Sequence, residues 1–210
     1  MAEMLPLFPL NTVVFPEDDL NLHIFEPRYR QMMQDCEAQG KNFGIPAYID
    51  EQVQEIGMEI QVVEVVERYD DGRMDIKTKG LRPFRIETFA NPWEDRLYAG
   101  GEVEWLTFDD KASESDRTML LRQVAELYDL LGVALRISPD DPLLSFKVGH
   151  KVGLSLRQEY GLLAIPSEQQ RIQYLIDHLA RNIPVVRDME RTKERIRMNG
   201  HFRNFDPLDF

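Results

Sequence analysis

The sequence predicts an α+β protein, with a β-rich part over 1–108 and an α-helical part over 109–210. Three observations predict it. Apolar and polar residues alternate in most segments up to Trp105, the period of a half-buried strand. From Met119 the apolar spacing changes to three and four, the period of a helix face. Between them lies the polar run DDKASESD, at 109–116.

The elements follow in order. LPLFPLNTVVFP, at 5–16, mixes β-branched and aromatic residues with three prolines, so it forms a strand broken by turns rather than a helix. Leu20, Leu22 and Ile24 alternate with Asn21 and His23 as a strand. Pro27 opens a short helix whose Tyr29, Met32, Met33 and Cys36 share a face, and Gly40 ends it. Phe43 to Ile49 is a strand that Gly44 and Pro46 make irregular. Met58, Ile60 and Val62 begin another, and the adjacent Val65 and Val66 break its parity as a bulge would. Asp70, Asp71 and Gly72 then turn the chain into Met74, Ile76 and Thr78, giving a hairpin. Phe84, Ile86 and Thr88 continue the alternation, and Val103 with Trp105 supply a last apolar face.

In the second part, Ser113 or Ser115 caps a helix running from Met119 through Leu131. The cluster Ser138 to Pro142 stops it, and Asp141 before Pro142 predicts the next helix start, with helix to about Val152. Ser155 starts a short helix that ends near Pro166. Ser167 with Gln170 forms a capping-box pattern, after which Ile172, Leu175, Ile176, Leu179, Ala180 and Ile183 fall on one face. Pro184 kinks or restarts this helix, and Val185 to Met198 is polar enough to project.

Composition narrows the function. A chain of 210 residues and 24.6 kDa buries about 70% of its surface on folding, enough for a core without disulfide or metal. The formal charge of −12 repels polyphosphate, so nucleic-acid binding is disfavoured. Cys36 is the only cysteine, which excludes an intramolecular disulfide and fits a reducing cytoplasm. Glu3, Pro6 and Pro9 spoil any export-signal pattern, and no apolar run reaches the roughly 20 residues of a membrane span.

Catalytic spacings fail one after another. The nearest string to GxSxG is GLSLR, Gly153 to Arg157, without the closing glycine. A P-loop would need glycine where Asp35 stands and Ser or Thr where Asn42 stands, so no ATP site is encoded. HExxH and GxGxxG are missing, and His23, His150, His178 and His201 share no spacing. His23 and Glu26, three apart, are the one candidate acid/base or ligand pair; the simpler reading has Glu26 at a helix start or paired with Arg28 or Arg30. Asp70, Asp71 and Asp75 read as a solvated hairpin tip, and Cys36 as a small core residue. The sequence therefore predicts no catalytic residue, no cofactor and no metal, and assigns no substrate contact. Arg181 to Arg203 carries seven basic residues against Asp188, Glu190 and Glu194, a basic segment suited to its own acidic body or a second subunit. Phe202, Phe205 and Phe210 suggest docking of the final residues onto a groove.

The run LPLFPLNTVVFP followed by LNLHIFEPRYRQMM resembles the opening of the Lon protease amino-terminal, or substrate-binding, domain, with Leu22 to Tyr29 in that family's order. DDGRMDIKTKGLRPFRI, at 70–86, resembles the family's hairpin, with Gly72 and Arg73 in the turn; Pro83 departs from the arginine often found there. The likeness spans roughly residues 4 to 185 and is strongest in the first third. It implies a PUA-like pseudobarrel beside a helical subdomain, and a stand-alone, non-catalytic protein that binds unfolded or partner polypeptides, a client or a protease among them. Association into homo-oligomers is compatible with it. The competing expectation is a small-ligand protein or enzyme with a pocket near His23 and Glu26. Met32, Met33, Met58 and Met74 are adaptable side chains for core or binding surface.

Overall fold

In the computed structural model, residues 3–201 are described, with side chains through 197. In chain order the elements are β1 (Glu3–Leu7), β2 (Asp19–Ile24), α1 (Pro27–Gln39), β3 (Phe43–Ile49), β4 (Gln52–Arg68), β5 (Met74–Ile86), β6 (Ala99–Trp105), α2 (Glu114–Leu131), α3 (Leu144–Gly149), α4 (Leu156–Leu163) and α5 (Glu168–His201). They form two units: residues 1–109 with 154–166, and 110–153 with 167–210.

The first unit is a mixed six-stranded sheet whose pairings close on themselves. β5 pairs with β4, β4 with β3, β3 with β1, β1 with β6, and β6 again with β5. All are antiparallel except β1 with β3. β2 stands outside that circuit, along Met74–Lys79 of β5, while β6 takes Phe84–Ile86. Phe84 sits at the centre with Leu5, Leu7, Ala99 and Val103. Its ring fits because Gly44 and Gly57 face it: a Cβ at either would fall 2.7 or 2.5 Å from ring carbons. α1 buries Tyr29, Met32, Met33 and Cys36, and Gly40, at φ +60°, closes it in the left-handed conformation that glycine adopts freely. The expected irregularity in β3 is a register shift between Pro46 and Tyr48, and that in β4 includes one between Val65 and Glu67. β4 itself is longer than its apolar alternation suggests, starting at Gln52.

In the second unit, Ser113 is the cap of α2, its hydroxyl accepting from Asp116 N. α3 begins at Leu144 rather than at Pro142. The reason is local: Asp141 Oδ1 accepts from Leu143 N at 3.1 Å in a turn, and buried Arg117 donates to the carbonyls of Pro139 and Asp141. α5 buries Ile172, Leu175, Ile176, Leu179 and Ile183, but Ala180 faces solvent. One helix runs through Pro184 without a break. Within this unit a buried ion pair links Arg171 to Glu168 at 2.8 Å, and Glu168 also accepts from Ser145 Oγ and N. No helix among the described residues is long and apolar enough to cross a membrane.

Candidate polypeptide-binding surface

β4 has two halves with different neighbours. Up to Ile60 it lies between β3 and β5; β3 begins at Phe43, opposite Ile60, so from Gln61 to Arg68 only β5 is paired with it. One backbone edge of this half therefore has no strand partner among the described residues. The end of α1 lies near it, tied by Arg68 Nη2 to both carboxylate oxygens of Glu37, at 2.8 and 2.9 Å. Between them opens a recess of about 320 Å³. Met33 and Cys36 of α1, Val62 and Val65 of β4, and Met74 and Ile76 of β5 supply its apolar lining. Lys41, Asn42 and Gln61 supply the polar part.

The same half of β4 exposes apolar side chains. Val63 is 61% exposed and Val66 52%, and register shifts between Val62 and Glu64 and between Val65 and Glu67 interrupt the strict alternation that would hide one face. Across β5, Phe25 at the end of β2 is 57% exposed and stacks on His23. Apolar side chains, an unpaired strand edge and a recess lined by two methionines meet on one arm of the sheet. Such an arm can accept an extended segment by main-chain hydrogen bonds while side chains enter the recess.

The predicted candidates fall differently. His23 and Glu26 are not brought together. His23 sits opposite Asp75 in the β2–β5 register, with Nδ1 2.6 Å from Oδ1; Glu26 accepts from Arg28 Nε at 2.9 Å. Three residues is the wrong interval for one face of a strand, and Glu26 lies beyond the strand end. Asp75 also accepts from Tyr69 OH at 2.8 Å. The hydrogen bonds from His23 and Tyr69 hold the Asp75 carboxyl below the usual carboxylate range. The same bond to Asp75, ahead of desolvation and a weaker bond to Glu67, pushes the Tyr69 phenol up to about 12. Asp71 belongs to the turn, accepting from Arg73 N and Nε. Burial pushes the Cys36 thiol up to about 12, which leaves little thiolate for chemistry. All four methionines are buried, Met32 and Met58 completely, while Met33 and Met74, 5% and 4% exposed, also line the recess. The recess-lining Val62 and Lys41 carried no signal beyond the broken parity that follows Val62.

Among the described residues, no three His, Cys, Asp or Glu side chains cluster in a way that would hold a metal. The basic segment is in part self-paired, Arg187 with Glu126, Arg191 with Asp188 and Lys193 with Glu190. Phe202, Phe205 and Phe210 lie outside the described residues.

Comparison with known proteins gives a consistent picture. The model of the ATP-dependent protease La (LON) substrate-binding domain matches residues 4–181. A Lon N-terminal domain protein from Xanthomonas campestris superposes with a TM-score of 0.68 at 24% identity, over 83% of this chain and 98% of that one. The N-terminal domain of Mycobacterium avium complex Lon protease gives 0.63 at 16% identity, over 85% and 98%. No curated protein matches the sequence.

Proposed function

Because the chain belongs to the family of Lon substrate-binding domains, we propose that it is a non-catalytic module that holds extended polypeptide segments, without ATPase or protease activity of its own. The observation that carries this reading is the outer half of β4, where an unpaired edge, exposed Val63 and Val66, and the methionine-lined recess coincide. Loose specificity follows: main-chain pairing is indifferent to sequence, and methionine adapts to differently shaped side chains. The absence of P-loop, GxSxG and HExxH spacing supports the non-catalytic part. The single cysteine suits a reducing compartment, and we place the protein in the cytoplasm. Its net charge of −12 favours polypeptide over nucleic-acid partners.

The test is association with a labelled, permanently unfolded model protein, read by fluorescence anisotropy. We expect a dissociation constant on the order of 10 µM, about 7 kcal/mol of binding. Replacing exposed Val63 and Val66 by Lys should weaken it at least tenfold while the far-UV circular dichroism stays unchanged. Absence of association at ten times that concentration, or indifference to the substitutions, would overturn the reading.

A further inference from the structure

We infer that the recess between α1 and β4 selects segments in which a bulky apolar side chain is flanked by a carboxylate, and that Lys41 is the residue that reads the carboxylate. This rests on the polypeptide-binding reading above and gives it a chemical preference. The recess, at about 320 Å³, lies at the small end of the roughly 300–1,000 Å³ typical of ligand pockets, so it suits one anchoring side chain rather than a long apolar stretch.

Three charged side chains line it: Glu37, Arg68 and Lys41. Glu37 and Arg68 neutralise each other through their two-pronged contact. Lys41 is exposed, and among the described residues only its backbone N–H, not its ammonium, is held in a hydrogen bond. Nor is its ammonium drawn into finishing the helix. The backbone N–H groups of Gly40 and Lys41 already take the carbonyls of Glu37 and Cys36, at 3.3 and 2.9 Å. The other polar neighbour, Asn42, spends its amide on Glu59 at 2.9 Å. Lys41 is therefore the one charged side chain lining this apolar recess that has no ion-pair partner among the described residues, although it also lines a smaller pocket that Asp35 shares.

Its surroundings sharpen the contrast. The unit formed by residues 1–109 and 154–166 holds 23 acidic against 11 basic side chains, a formal charge of −12. Most of that surface repels a carboxylate, and a segment carrying one is favoured where the local sign reverses. The carboxylate is assigned to an Asp or Glu side chain beside the anchor, because a segment paired along the β4 edge brings internal residues to the recess, and a chain terminus, which presents the same two oxygens, is left for the test to distinguish.

The test uses the full chain and labelled extended peptides with a single Leu in a Ser/Gly background. One carries Asp beside the Leu, a second carries Lys there, a third ends in Leu with a free carboxylate, and a fourth ends in a Leu amide. Anisotropy should show the Asp peptide binding about two- to fivefold more tightly than the Lys peptide, the range of an exposed charge pair. A matching advantage of the free-acid over the amide peptide assigns the source to termini as well as side chains; its absence assigns it to side chains alone. Both results uphold the inference if the Asp peptide keeps its advantage. Lys41→Gln should level the Asp and Lys peptides and Lys41→Glu should reverse them, with raised salt shrinking the wild-type difference. Equal binding of Asp and Lys peptides, or an unchanged preference in Lys41→Glu, overturns the inference and leaves polypeptide binding standing. Failure of all four peptides to bind overturns both.

Discussion

Asp75 accepts on both oxygens, from the ring of His23 and from the hydroxyl of Tyr69, and both contacts favour its ionised form. Its carboxyl in the folded protein is therefore held below the ordinary value of 3.8. The sign follows from linkage. A depressed folded pKa contributes stability that is fully present above the unfolded value and is lost as pH falls through the folded one. Asp75→Asn should lower the urea midpoint at pH 7, and the deficit against wild type should hold down to about pH 5 and then shrink below 3.8. A deficit that is the same at pH 7 and pH 3 would assign the residue a purely steric role. The same network shows what the sequence withheld. Strand alternation placed His23 on the polar face, but its partner is fixed by the pairing of two strands whose residues are far apart along the chain. The only nearby acid the spacing offered was Glu26, which pairs with Arg28.

Elements were legible where the signal is local. Gly40, Ser113, Ser155 and the Asp70–Gly72 turn end or start elements where the sequence places those events. β6 was only half visible, since Ala99, Gly100 and Gly101 have no alternation to read, and the parallel pairing of β1 with β3 is a long-range event that no local pattern encodes. α5 combines both cases. Its apolar face was readable, except that Ala180 is exposed, one turn before the exposed Pro184. Proline removes the N–H that Ala180 O would accept from, and water can reach that carbonyl only because this side of the helix faces solvent. Pro184→Ala restores the donor without burying anything, so it should stabilise the helical unit by about 1–3 kcal/mol, the scale of proline's helix penalty. Urea denaturation followed at 222 nm checks it. A destabilised variant would mean that the proline ring is packed against something in the folded state.

At the scale of the whole molecule, charge and chain path do not divide alike. The helical unit is formally neutral, with 14 acidic and 14 basic residues, so the entire −12 resides in the sheet unit. The chain leaves that unit after Asp109, returns for Leu154–Pro166, and departs again. The returning helix α4 is structural. Leu162 and Leu163 are buried, and Tyr160 OH accepts from Ile56 N at 3.3 Å on β4. A fragment ending at residue 108 lacks all of this and should unfold without a cooperative urea transition, whereas Leu162→Ala in the full chain should cost about 2–5 kcal/mol. A stable, cooperatively folding 1–108 fragment would show that α4 is dispensable to the strands. The last strand, β6, ends at Trp105, and α4, which follows two helices of the other unit, clusters with the strands, a long-range association that no local pattern encodes.

That detour bears on synthesis. As the nascent polypeptide leaves the ribosome, every strand is available before α4, and residues 110–153 must all be translated in between. For that interval the apolar surface that α4 will cover is open, which makes the half-synthesised chain most prone to association before residue 166 has emerged.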